Sequence, residues 1–194
     1  MIMQMLETAG LPLLIDGVRP PDSDNPRGYY EFEPVKAMKT DASFLEVAVG
    51  RVVKVVAPLL PSLPPRYDYR IVFVERALCE VLASQRAMLA QRGQVAGIAE
   101  GGALAKAFES SLRTTRDWME RTKGVRVCFV SHADTVESPE RTARRLLQFF
   151  ASIWAGSGGS AGVGAIESER DRIVMRMTSV FEDSLYRRRG SGAG

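Results

Sequence analysis

Residues 69–86 read YRIVFVERALCEVLASQR. Tyr69–Val74 is apolar at nearly every position, without polar alternation, as in a strand covered on both faces. Charge arrives at Glu75 and Arg76, and the period then changes. Leu78, Val81, Leu82, Gln85 and Leu89 fall on one helical face. A strand running directly into a helix implies a crossover connection, hence a parallel sheet. Arg76 stands at the strand end, and Ser84 follows about two helical turns later. A guanidinium there suits bidentate phosphate recognition, with the hydroxyl as a second donor. The plain alternative is a solvated or ion-paired arginine and a surface serine.

Working outward, three more segments read as buried strands: Leu11–Ile15, Val52–Ala57 (VVKVVA) and Val125–Val130 (VRVCFV). Helical patterns lie around them. Met1, Met5 and Leu6 share a face that Gly10 ends. Leu104, Phe108, Leu112 and Met119 form a longer stripe. SPERTARRLLQFF opens with Ser138 as N-cap and Pro139 at the first helical position, with Leu146, Phe149, Phe150 and Ile153 as its apolar face. A final helix is expected over residues 167–183. The pattern predicts an α/β fold, an open, mainly parallel sheet with helices on both faces, as a single domain over residues 1–188. The Gly-rich segment 155–165 reads as mobile and residues 189–194 as a disordered tail.

The 194 residues are 45% hydrophobic and 25% charged, enough for a sizeable core. No apolar run nears the roughly 20 residues that span a bilayer, and no secretory signal pattern opens the chain. Cys79 and Cys128 lie in apolar runs and read as buried free thiols. These features predict a cytoplasmic protein with no membrane partner. A net charge of +3 does not argue for nucleic acid, but it suits a small anionic ligand.

In an open parallel sheet, ligands bind beyond the carboxyl ends of the strands. That rule selects Asp16 and Gly17, the loop after Ala57, Glu75 with Arg76, and Ser131 to Asp134. His132, the sole histidine, is a candidate general base with Asp134 as its orienter. Equally, the two shape a strand-to-helix turn. Lys54 reads either as a catalytic cation or as a strand lysine whose stem packs while its amine reaches solvent. The polar loop RPPDSDNPRGYYEFEP, residues 19–34, brings Arg27, Tyr29 and Tyr30 as substrate contacts. Aromatic residues there would equally pin the loop to the core. Asp16, just before it, is a candidate base or a turn cap.

The arginine at the strand end and the serine eight positions on, in RALCEVLAS, resemble the 3′-phosphate-binding segment of sulfotransferases. These P-loop-like proteins use 3′-phosphoadenosine-5′-phosphosulfate (PAPS). GLPLLIDGVRPPDSDNPRGYYEFEPVK, VVKVVAPLLPSLPP, EVLASQRAML and SLYRRR resemble a bacterial branch of that family, from Met1 to about Arg188. The resemblance implies transfer of a sulfuryl group from PAPS to a hydroxyl or amine of a small-molecule acceptor, without a metal. Arg76 and Ser84 would hold the 3′-phosphate, and Lys54 would sit at the transferred group. From the residues themselves, not from the resemblance, His132 remains the candidate base, with Asp16, Arg27 and Tyr29 facing the acceptor.

Two departures stand out. Where such proteins place a histidine after the lysine, this chain has Val56. The family's first strand and its phosphosulfate loop have no counterpart, because MIMQML matches the helix that follows them. No stretch reads GxxxxGK[ST], which also argues against a P-loop kinase. The resemblance therefore implies impaired transfer, and a missing strand leaves sheet edges that a homodimer would cover. The alternative function is a non-catalytic nucleotide-binding or interaction module, or a truncated gene product, of the same fold.

Overall fold

The structure, a computed structural model, describes residues 1–22, 25–78, 80–81, 100–154 and 163–181. It is a mixed α/β chain whose helices are α1 (Ile2–Thr8), α2 (Leu45–Ala48), α3 (Glu100–Arg121), α4 (His132–Glu137), α5 (Pro139–Phe149), α6 (Ala151–Trp154) and α7 (Val163–Thr178). Its strands are β1 (Tyr69–Glu75) and β2 (Val125–Ser131), and two 3-10 segments cover Glu33–Ala37 and Ala57–Ser62. The chain gathers into two compact units. One comprises Met1–Glu33, Leu45–Lys54 and the chain from His132 onward; the other comprises Pro34–Phe44 and Val55–Ser131.

In the second unit, β1 and β2 pair in parallel from Tyr69 opposite Val125 to Glu75 opposite Ser131. Their connection runs through α3, which packs on β2. The apolar run at 69–74 and its partner thus form the expected parallel pair. Phe73 and Phe129, opposite one another, meet edge to face with centroids 5.7 Å apart. Phe73, Cys128 and Val130 are buried, with Cys128 a free thiol. α3 continues that core through Met119 and the buried Thr115, whose hydroxyl donates to the carbonyls of Ser111 and Ala57. Gly124 enters β2 at φ +79°, where a Cβ would come within 2.8 Å of the Asp68 carboxylate. A glycine is required at that turn.

In the first unit, α7 packs on both α5 and α1. Ile173, Val174 and Met177 of α7 are buried, as are Ala143, Leu146, Leu147 and Phe150 along α5. Met5 and Leu6 contribute the buried face of α1, and Gly10 at φ +92° ends it. Each of these side chains except Ala143 contributes roughly 1.5–3 kcal/mol relative to exposure. These helices follow the sequence pattern closely. Pro139 opens α5 after Ser138, but the Ser138 hydroxyl makes no capping bond.

Three expectations are corrected. Leu11–Ile15 and Val52–Ala57 do not form strands. They touch at one parallel bridge, Leu13 opposite Val52. Leu14 N–H donates to the Val52 carbonyl and Val52 N–H to the Pro12 carbonyl, both at 2.8 Å. The ladder stops because Asp16 N–H turns instead to the Glu31 carbonyl, 3.2 Å away, and because the chain winds into a 3-10 segment at Ala57. The sheet therefore has two strands among the described residues. The last helix begins at Val163, four residues before the expected start, so the end of the Gly-rich segment is helical. No helix among the described residues is long and apolar enough to cross a membrane.

Candidate functional site

The parallel pair sets the first group of residues. β1 ends at Glu75, and Arg76 follows. A helical turn starts there, with Val81 N–H bonded to the Ala77 carbonyl at 3.1 Å. Arg76 Nε donates to Glu80 Oε2 at 3.2 Å, one turn on, and both side chains are over 40% exposed. Glu75 is engaged by Arg116 of α3, whose guanidinium also lies 5.8 Å from the Phe129 ring centroid. The Arg76–Glu80 pair is an exposed i,i+4 contact, about 0.3–0.5 kcal/mol in strength, which an incoming anion can displace. Ser84, its expected partner in phosphate recognition, lies outside the described residues, as does Cys79.

The first unit holds the second group. Lys54 Nζ donates to the Tyr29 carbonyl at 2.9 Å and to Glu31 Oε1 at 3.4 Å. The same Glu31 oxygen accepts from Arg19 at 3.4 Å. The Arg19 guanidinium lies over the Tyr29 ring, 3.2 Å from its centroid, and the Tyr29 hydroxyl donates to Asp22. Asp16 accepts from Val18 N–H at 3.0 Å and from Glu33 N–H, so both carboxylate oxygens are used to fold the loop. Arg27 donates to the Val180 carbonyl beyond α7. Lys54 and Arg27 both act on the Met1 amino group, whose pKa is lowered first by burial and then by these two cations. Lys54, Arg27, Tyr29 and Asp16 thus belong to one charged loop cluster.

Within that cluster Tyr30 takes φ +54°, the left-handed region, and Gly28 takes φ +86°. Glycine adopts such angles freely. For a residue with a Cβ the cost is roughly 1–2 kcal/mol. Lys54 bridges the residues on either side of Tyr30, Tyr29 through its carbonyl and Glu31 through its carboxylate.

His132 is half-buried at the first position of α4, immediately after β2, and Asp134 lies on its exposed first turn. Both residues sit at the strand-to-helix junction. Val56, where the resemblance expects a histidine, is 57% exposed. No group of three or more histidine, cysteine or carboxylate side chains among the described residues could hold a metal ion.

Glu31 and Arg19 are the members that sequence reasoning missed. Glu31 lies 23 residues from Lys54, and nothing local in YYEFE marks it as that lysine's partner. Comparison with known proteins adds no assignment: no protein-family model, curated protein or solved structure matches the chain.

Proposed function

We propose that this chain has a sulfotransferase-like fold and binds the 3′-phosphate of a PAPS-type nucleotide through Arg76. One observation carries the reading. Arg76 follows directly on the carboxyl end of a parallel strand, where a helical turn begins, and open parallel sheets bind ligands at such strand ends. Its guanidinium is half-exposed and, among the described residues, pairs with Glu80. Ser84 is the proposed second donor to the same phosphate. The proposed sheet is open, with helices on both faces.

In the full reaction the acceptor hydroxyl or amine forms a bond to sulfur. The bond from sulfur to the bridging oxygen breaks, and the nucleotide phosphate leaves with that electron pair. The acceptor's proton passes to a base. Lys54 and His132 are the residues proposed to assist at the transferred group and as that base. Asp16, Arg27 and Tyr29 are proposed on the acceptor side. Such transfer depends on positioning and charge stabilisation.

A second reading, a nucleotide-binding module without transfer, is favoured by Lys54. Its ammonium is already engaged by the Tyr29 carbonyl and by Glu31. Calorimetry with 3′,5′-adenosine bisphosphate tests the shared part of both readings. Arg76→Ala should weaken binding roughly tenfold or more, as loss of a charge-assisted phosphate contact requires. Binding of 5′-adenosine monophosphate, which lacks the 3′-phosphate, should not change. Equal binding of the bisphosphate by the variant removes Arg76 from the site. A transfer assay with PAPS and a phenolic acceptor then separates the enzyme from the module.

A further inference from the structure

We infer that the peptide between Tyr29 and Tyr30 is a latched switch: Lys54 holds it in a strained orientation, and an anion that recruits Lys54 releases it. Two observations describe the same peptide plane. Lys54 Nζ bonds the Tyr29 carbonyl at 2.9 Å. Tyr30, whose N–H belongs to that plane, has φ +54°. Rotating one peptide plane changes ψ of the residue before it and φ of the residue after it, and little else. A flip would therefore turn the carbonyl away from Lys54 and carry Tyr30 back to negative φ in one motion.

The flanking anchors confine the motion. On one side Gly28, at φ +86°, donates its N–H to the Asn25 carbonyl at 2.9 Å. On the other, the Glu31 carbonyl accepts from Asp16 N–H at 3.2 Å, and Glu33 N–H donates to the Asp16 carboxylate. The Tyr29 ring stays beneath Arg19. The chain on both sides of the switch is held while one plane turns.

The latch is balanced to respond. The left-handed cost at Tyr30 and the strength of half-exposed ion pairs are of comparable size. A single oxygen of Glu31 serves both Lys54 and Arg19, so two cations share one acceptor. An added phosphate or sulfate group offers Lys54 a stronger anionic acceptor, and the relief at Tyr30 adds to its affinity. The trigger rests on the anion-binding reading above. The latch does not, since it is a property of the ligand-free chain.

The test is NMR on the full chain, reading the intraresidue amide–Hα contact of Tyr30, which is short at positive φ. The free protein should show the short distance. Lys54→Met should lose it without any ligand, and persistence of positive φ in that variant overturns the latch. Inorganic pyrophosphate should lose it in the unsubstituted chain, whereas sodium chloride at matched ionic strength should not. Equal effects of the two salts overturn the trigger. Tyr30→Gly should bind pyrophosphate roughly five-fold more weakly, because no strain is left to release. Glu31→Gln should bind it more tightly, because the competing carboxylate is gone, and it decides the matter if Lys54→Met does not fold. Unchanged affinity in both variants overturns the coupling. Failure of 3′,5′-adenosine bisphosphate to bind would sink the nucleotide reading while leaving the ligand-free Lys54→Met result intact.

Discussion

Two parallel contacts in this molecule start from similar sequence and end differently. β1 and β2 register over seven residue pairs, whereas Leu13 and Val52 form one bridge. Both pairs come from apolar runs that read as buried strands. Along β1 and β2 no proline interrupts, and the amide entering the ladder is used by the partner turn, Tyr69 N–H bonding the Gly124 carbonyl at 2.8 Å. At the bridge, Pro12 has no N–H to give, and the Asp16 amide is taken by Glu31. Apolarity gives a segment something to bury. The length of the ladder depends on where its backbone donors go.

The largest expected effect tests whether the long ladder is also the stronger one. Phe73→Ala removes a buried ring that faces Phe129, and it should destabilise the fold by roughly 3–5 kcal/mol. Leu14→Ala, beside the bridge, should cost nearer 2 kcal/mol, the low end for a buried leucine. Urea denaturation of both variants gives the comparison. Equal losses would mean that the bridge region contributes as much as the sheet, and the contrast would fail.

A smaller effect is expected at the entry to β1. The Tyr69 hydroxyl donates to the Pro64 carbonyl at 2.7 Å, and Tyr69→Phe should cost about 1 kcal/mol at neutral pH. Burial pushes the Tyr69 hydroxyl up from the usual 10.0 to about 12, with Tyr67 adding to the shift. Between those values the unfolded chain has lost the proton and the folded chain keeps it. The contribution is therefore complete below about pH 10 and is lost as pH rises toward 12. Alkaline denaturation of the wild type should be steeper across that window than that of Tyr69→Phe. Identical slopes would show that this hydroxyl titrates alike in both states.

Much of the frame was legible because its signals are local. Gly10 ends α1, Pro139 starts α5, and the two valine-rich strands pair in parallel, all from residue type and spacing. The bridge was over-read because VVKVVA and LPLLI are apolar enough for strands, while the rivals for their backbone groups sit far away in sequence. The same distance hid the latch. Lys54 and Tyr29 were each readable as candidates, but their meeting depends on a loop 25 residues upstream. Glu31 carries no local mark at all. Side chains that act by long-range hydrogen bonds to backbone leave no period to read.

The smallest effect probes the cause assigned to the short bridge. Asp16 ties residues 31–33 to the end of the Leu11–Ile15 segment through its own amide and one carboxylate oxygen, while the other oxygen accepts from Val18 N–H. Asp16→Ala removes the side-chain acceptors and leaves the amide. Because the site is exposed, the cost should be only about 0.5 kcal/mol. Hydrogen exchange should show Val18 and Glu33 amides losing protection, while Leu14 and Val52 amides keep theirs. That outcome would mean the bridge stands on its own two hydrogen bonds and the loop merely caps it. If Leu14 and Val52 exchange faster as well, the bridge depends on the loop. The contrast with β1 and β2 would then be one of borrowed support rather than of diverted donors.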